Sequence, residues 1–437
     1  MILTNARVLT FDDANRVLDS ASVEMRPDGA IGAVTKSPRR AARGEEVVDA
    51  GGRLLMPALI NCHTHLYSTL ARGIAIPGRA PRDFLEILDK LWWRLDCALN
   101  EDDIYYSALV GLIDSAKCGV GTLVDHHSSP NACAGSLDRI EQAFREVGLR
   151  GALCYETSDR HGARKAAEGI RENVRFLERA ARNADGMIGG AFGLHAAFTL
   201  GDRTLRQAVE ANRSLRGAFH VHVAEDPCDA GAVRRLRDLG ILDERTLAAH
   251  CLHIDAAEIG ILARRHVNVV HNPQSNCNNA VGMANVAEMM RHGVAVGLGS
   301  DGYSPRMWDE FKAAFHVQKL RSGDPRVGYA EAYAAAFRHN RAIVRKLWGM
   351  DIGRIAHGAR ADLILVDYFP PAPLRADNLF GHLLFGIANA PVDSLIVNGR
   401  FIVRDRRCVT VDERAVAERA ARQAKSLWSR FEASCKH

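Results

Sequence analysis

The sequence predicts an α/β fold: a central (β/α)₈ barrel with a small β-sandwich domain built from both chain termini. Three observations predict it. Apolar, β-branched runs alternate with helical patterns through the middle of the chain. Both ends carry short strand patterns instead. Metal-ligating residue types collect at the C-terminal ends of the central runs.

The first strands read as MILTNARVLTFD, SASVEMRPDGAIGAV and GEEVVDAGGRLLM, short alternating patterns separated by turns that predict a small antiparallel unit. A similar composition returns in GRIAHGARADLILVDY from Gly353 and SLIVNGRFIVRD from Ser394, where Asn398-Gly399 signals a hairpin turn. The two ends are therefore expected to pair, residues 1–55 with 353–410. VDERAVAERAARQAKSLWSRFEAS reads as an amphipathic helix within 411–437, with Asp412 near its cap. Residues 56–352 hold eight runs: MPALINCHTH, GVGTLVDHHS, LRGALCYETS, MIGGAFGLHA, GAFHVHVAE, TLAAHCLHI, VNVVHNPQS and VAVGLGSDG. Helical stretches between them mark βα units and parallel strands. Eight units suit a closed TIM barrel, and a doubly wound open sheet is the structural alternative.

Composition is that of a soluble globular protein, with 47% hydrophobic and 25% charged residues. The net charge of +5 comes without a dense basic stripe. PRRAAR (38–43) and RDRR (404–407) read as solvated loops, so no nucleic-acid partner is expected. There is no secretion signal and no apolar run long enough to span a bilayer. Ten scattered cysteines without a CxxC pair indicate reduced thiols in a cytoplasmic protein without a membrane partner.

The strand ends carry the chemistry. Side chains alternate along a strand, so His63 and His65 share a face and Cys62 packs on the other. His195, His222, Glu225, His250, His253, His271 and Asp301 follow at later strand ends, with His220 one layer deeper. Any one of these histidines alone would most often be structural. Together, an HxH pair, a histidine on strand five and an aspartate on strand eight set three neutral nitrogens and a carboxylate around one mouth. That suits zinc, and also ferrous iron or manganese. Such an ion acidifies its water into a nucleophile. Proton transfer then needs another group, and Glu225 is placed to provide it, while His250 could hold or polarise the hydroxide. His220 reads as structural or supporting, His253 as a loop neighbour, and His126 and His127 as lining or capping the mouth.

INCHTH, HVHVAE, AHCLH and GLGSDG, in that order beside a flanking sandwich, resemble the amidohydrolase superfamily. The branch is that of mononuclear metal-dependent aminohydrolases, with cytosine deaminase, guanine deaminase and the triazine hydrolases. HLYSTLARG, ILDKLWWRLD, VDHHSSPNACAGSL, CYETSDRHG and HNPQSNCNNAVG are similar to the aminohydrolases called SsnA, a group associated with purine breakdown. The resemblance implies His63, His65, His222 and Asp301 as metal ligands and Glu225 as proton shuttle. It implies His250 beside the metal water, Asp301 as a second proton acceptor, and His195 against the substrate ring. MIGGAFGLHAAF offers no lysine for a second metal, which favours one divalent ion, zinc before iron or manganese. Asn276, in the amide-rich Asn276-Cys277-Asn278-Asn279, and Trp92, Trp93, Arg94 and Asp96 would shape a site for a planar heterocycle. The tryptophans could equally pack a helix against the barrel.

The expected activity is hydrolytic deamination of a cyclic amidine, a purine or pterin, with hydroxide attacking the amine-bearing ring carbon and ammonia leaving. Ring-amide (imidazolone-type) hydrolysis or halide loss would use the same ligands. A catalytically silent binding or scaffold relative would have lost some of the six positions, and all are filled. A nucleic-acid deaminase would carry HxE with PCxxC, which is absent. The family resemblance further implies a homodimer.

Overall fold

A computed structural model describes residues 1–37 and 44–434, so PRRAAR lies outside the described residues. The barrel strands are Leu59–Thr64, Val120–His127, Arg150–Tyr155, Ile188–Gly190 continuing as Phe192–Ala196, Phe219–Val223, Leu247–His250, Asn268–His271 and Ala295–Leu298. Every pairing between neighbours is parallel. Two further parallel bridges, Thr64 to Asp301 and Thr157 to Leu194, join the two halves and close the ring. This is the TIM barrel, and an open sheet is excluded. Strand four breaks at Ala191, in a run of small residues required by close packing. A Cβ at Gly193 would stand 2.3 Å from the Tyr155 carbonyl oxygen, so only glycine fits there.

The second sheet joins the two ends of the chain. Its order is Arg407–Cys408, Arg400–Arg404, Val392–Val397, Leu363–Val366, Leu54–Pro57, Ile2–Leu9, Val17–Met25 and Ile31–Thr35, with Val47–Asp49 also against Ile2–Leu9. Leu3, Val8, Val23, Leu55, Leu363 and Ile396 lie in its own apolar core. The N-terminal unit differs from the antiparallel reading in one respect. Ile2–Leu9 pairs parallel with Val47–Asp49 and with Leu54–Pro57, because the chain returns by a crossover and not by a hairpin. Asn398 and Gly399 both take left-handed φ, 50° and 75°, as a type I′ hairpin turn needs. The turn at Asp405-Arg406 is also left-handed, and Arg406 pairs with Asp367 on the surface.

Arg150 from strand three reaches this sheet through a buried two-pronged bond to Asp362, at 2.9 and 3.0 Å. The helix Glu413–Ser434 starts where Asp412 Oδ1 accepts the N–H groups of Arg414 and Ala415. Its buried face is Ala420, Leu427 and Phe431, at helical spacing. Trp428 Nε1 donates to the Leu70 carbonyl at 2.8 Å and Arg430 Nε to the Ala98 carbonyl at 2.9 Å. Among the described residues no helix is long and apolar enough to cross a membrane.

Candidate metal centre and cleft

The period of strand one turns His63 and His65 into the barrel mouth. Cys62 faces the opposite way, fully buried among Ile60, Val124 and Val270. Asp301 follows strand eight and is tied to strand one by its amide N–H, which donates to the His63 carbonyl at 2.9 Å. His65 Nε2 lies 3.0 Å from Asp301 Oδ1 and 3.2 Å from His222 Nε2, and His63 Nε2 lies 3.6 Å from the same carboxylate oxygen. Ligand atoms of His63, His222, His250 and Asp301 all lie within 4.8 Å of one another.

Two of these atoms, His63 Nε2 and His250 Nε2, are buried without a hydrogen-bond partner. Buried polar atoms are rarely left this way. Orphaned imidazole nitrogens converging on one carboxylate fit a divalent ion with nitrogen and oxygen ligands. The far nitrogens are also engaged. His65 Nδ1 donates to the His126 carbonyl at 2.6 Å and His222 Nδ1 to the His195 carbonyl at 2.8 Å, which leaves each Nε2 free to ligate. Ser275 Oγ donates to Asp301 Oδ2 at 2.6 Å. The backbone is strained around this point: Ala224, His250, Cys251 and Asp301 all have φ between 46° and 76°, where side chains other than glycine are disfavoured.

Glu225 stands beside the ligand set. Its Oε2 is 3.4 Å from His250 Nε2, and its Oε1 accepts from Asn279 Nδ2 at 3.4 Å. Burial pushes its carboxyl up to about 7, against the downward pull of His250. His250 is oriented from behind, its Nδ1 donating to Asn276 Oδ1 at 2.8 Å. Its Nε2 is left facing Glu225 and, at 3.7 Å, Asp301.

The raised carboxyl has a consequence for the metal-free protein. A group whose pKa rises on folding contributes stability below its unfolded value, and loses it as pH climbs through the folded one. For Glu225 that window runs from about 4.5 to about 7. Calorimetry of metal-free Glu225→Gln against the parent should therefore show the difference in melting temperature moving in the variant's favour from pH 5 to pH 8. A difference that stays flat would mean Glu225 titrates normally.

A cleft of about 800 Å³, partly open to solvent, rises above His65, His222 and Asp301. Phe84, Leu88, Trp92 and Phe198 give it apolar walls, and His195, Asp96 and Glu225 line it. Asn276 lies behind His250 and does not line the cleft, whereas Asn278 and Asn279 do. Arg94 turns away, to the Asp89 carbonyl. His253 bonds the Val281 carbonyl and His127 bonds Ser129 Oγ, while neither ring nitrogen of buried His271 has a partner.

The sequence reading missed Glu156 and Arg160, which join Asp96 and His195 in the polar wall of this cleft. Glu156 follows strand three, and Arg160 comes four residues later. Arg160 Nη2 bonds Glu156 Oε1 at 3.1 Å and Asp96 Oδ2 at 3.0 Å, with the guanidinium 5.1 Å from the Trp93 ring centre. Asp96 Oδ2 also accepts from Ser128 Oγ, while Asp96 Oδ1 is buried without a partner. Burial pushes the Asp96 carboxyl up to about 7. Burial works the same way on Glu156, but His195, His126 and Arg160 outweigh it and hold that carboxyl well below the usual range. His195 Nε2 is 3.7 Å from Glu156 Oε1, and burial followed by Arg160 pulls its pKa down against the upward pull of that carboxylate. The trace that Glu156 and Arg160 leave in the sequence is the E-x-x-x-R in CYETSDRHG.

Residues 54–402 match the family described as the amidohydrolase family. A 5-methylthioadenosine/S-adenosylhomocysteine deaminase of Desulforudis audaxviator is 33% identical, over 98% of this chain and 99% of its own. A 5'-deoxyadenosine deaminase of Methanothermobacter thermautotrophicus is 32% identical over 88% of this chain and 90% of its own. Among solved structures, an adenosine deaminase from Xanthomonas campestris with bound zinc superposes with a TM-score of 0.85 at 22% identity, covering 98% of both chains. A zinc complex of atrazine chlorohydrolase from Arthrobacter aurescens gives 0.81 at 20%, covering 98% of this chain and 99% of that one. A match running from the second sheet through the whole barrel and back, together with the ligand geometry at the barrel mouth, places the chain in the amidohydrolase family.

Proposed function

We propose that this protein is a metal-dependent hydrolytic deaminase of an amino-substituted nitrogen heterocycle, a purine in base or nucleoside form before a pterin. One observation carries the reading: a buried carboxyl, Glu225, stands 3.4 Å from His250 Nε2 beside the ligand cluster without belonging to it. Relatives named as deaminases of 5'-modified adenosines support the purine. The residues at the mouth suit one ion, with zinc favoured and iron or manganese accepted by the same ligand chemistry. When bound, that ion supplies Lewis acidity and a water acidified toward neutrality.

The chain's own residues do the rest. Asp301 takes a proton from the attacking water. Glu225, protonated in its buried setting, delivers that proton to the ring nitrogen beside the attacked carbon and regains one from the added hydroxyl as the ring carbonyl forms, while the proton taken by Asp301 passes to the amine, which leaves as ammonia. His250, whose Nε2 faces both Glu225 and Asp301, holds the reacting oxygen. The aromatic walls receive the flat ring, and His195 and Glu156 meet its edge. A cytoplasmic site of action accords with this chemistry.

The polar wall predicts where affinity comes from. Asp96 Oδ1 is an unused buried acceptor, so a substrate N–H or O–H would complete it. Asp96→Asn should raise KM by about tenfold or more, the order of one hydrogen bond to a charged group, with a smaller change in kcat. Steady-state kinetics checks this, and an unchanged KM would remove Asp96 from the substrate's contacts.

The defining experiment is ammonia release by protein of known metal content, against 5'-modified adenosines, adenosine, free aminopurines and aminopterins. Release from one ring class, lost in Glu225→Gln, supports the proposal. A metal-loaded protein that opens a ring amide and frees no ammonia would replace it with the imidazolone-type reaction.

A further inference from the structure

We infer that His220 is a positioning residue for the metal ligand His63, and that Cys154 holds His220 in turn. The inference rests on the metal site described above.

The three imidazole ligands are oriented in two different ways. His65 and His222 each donate their far N–H to a backbone carbonyl, of His126 and His195. Side-chain substitutions at those positions leave the carbonyls in place. His63 has no carbonyl. Its Nδ1 faces only another imidazole, His220 Nε2, at 2.8 Å. All three side chains of the chain that follows, His63, His220 and Cys154, have no exposed surface, so water cannot substitute for any of them.

Counting protons gives each ring one arrangement. For His63 Nε2 to ligate, its Nδ1 must carry the hydrogen and donate it. His220 Nε2 must then accept, so the hydrogen of His220 sits on its own Nδ1. That nitrogen is 3.7 Å from Cys154 Sγ, and the thiol lies 3.4 Å from the Asp125 carbonyl, to which it donates. Every donor along the line finds an acceptor, and the line ends on the backbone. Reversing either bond of His220 would put a hydrogen on His63 Nε2 and block the ligand. The backbone of His220 is fixed as well. Its carbonyl accepts from His126 Nε2 at 3.1 Å, and its strand neighbour Gly193 has no side chain to displace it. His220 thus selects the His63 tautomer, which is the role that partners of metal-bound histidines commonly fill.

The test compares His220→Gln, whose amide can accept from His63 and donate toward Cys154, with His220→Leu, which can do neither. Full-length proteins are stripped with a chelator and titrated with zinc against a chromophoric competitor. Cobalt(II) is then bound in place of zinc and its visible spectrum recorded. His220→Leu should bind zinc about 10–100-fold more weakly with an altered cobalt spectrum, and His220→Gln should recover most of the affinity and the parent spectrum. Melting of the metal-free proteins separates this from loss of fold. If His220→Leu does not fold, the milder pair Cys154→Ser and Cys154→Ala carries the comparison: serine keeps a hydroxyl to accept and donate, and alanine should weaken zinc. Equal zinc affinity in the parent and the apolar variant overturns the inference while leaving the metal site standing. Equal weakening in both variants of a pair reduces the residue to packing. A parent that binds neither zinc nor cobalt takes down the metal site itself.

Discussion

Glu225→Gln is expected to keep its metal and lose about three orders of magnitude in turnover, within the range that general acid–base groups contribute. The substitution keeps volume and shape, and an amide oxygen can still accept from Asn279, so the fold has little reason to change. The lost element is a proton that can leave and return. The carboxyl, held near 7, is matched to that task at neutral pH. Metal analysis beside ammonia-release kinetics checks the expectation. Full activity would end the shuttle role, and loss of metal together with activity would recast Glu225 as support for the site.

Asp301→Ala should act on the metal itself. It removes the one carboxylate of the proposed ligand set, whose Oδ1 is 3.0 Å from His65 Nε2, and leaves the Ser275 hydroxyl without its acceptor. Occupancy after dialysis should fall at least about tenfold, and turnover with it. Alanine is also a poor fit to the left-handed φ of 55° at this position, where aspartate and asparagine are better tolerated. Asp301→Asn therefore separates charge from backbone: it should lose metal while melting closer to the parent. Excess zinc distinguishes the two sites. It should restore part of the activity in the Asp301 variants and none in Glu225→Gln. Unchanged metal content in Asp301→Ala would exclude it as a ligand.

Much of this architecture follows from local periodicity. The period of 2 that puts His63 and His65 on one face also puts Cys62 in the apolar layer beneath. Asn398-Gly399 and the Asp412 cap are equally local, since each specifies its own backbone geometry. What local pattern does not carry is phase and pairing. Pro273–Asn278 is a six-residue helix, and a rotation of about 100° per residue sends Asn276 behind His250 while Asn278 turns to the cleft. Glu156 and Arg160 have no period to announce them, and their partner Asp96 stands far earlier in the chain. The parallel partner of Ile2–Leu9 is likewise decided by a crossover that no short window contains.

The shared sheet also sets a timetable. His63 and His65 sit on the strand that runs directly out of Leu54–Pro57, and that strand is bonded to Leu363–Val366. A growing chain therefore presents both histidines to solvent some three hundred residues before the neighbour that fixes their approach exists. The helix beyond residue 413 arrives later still, and through Trp428 and Arg430 it clasps Leu70 and Ala98, on either side of the segment that roofs the cleft. A half-made chain can collapse around its barrel strands, but its mouth is still ajar. Hydrolytic competence belongs to the finished polypeptide, because its two distant ends together hold the door frame square.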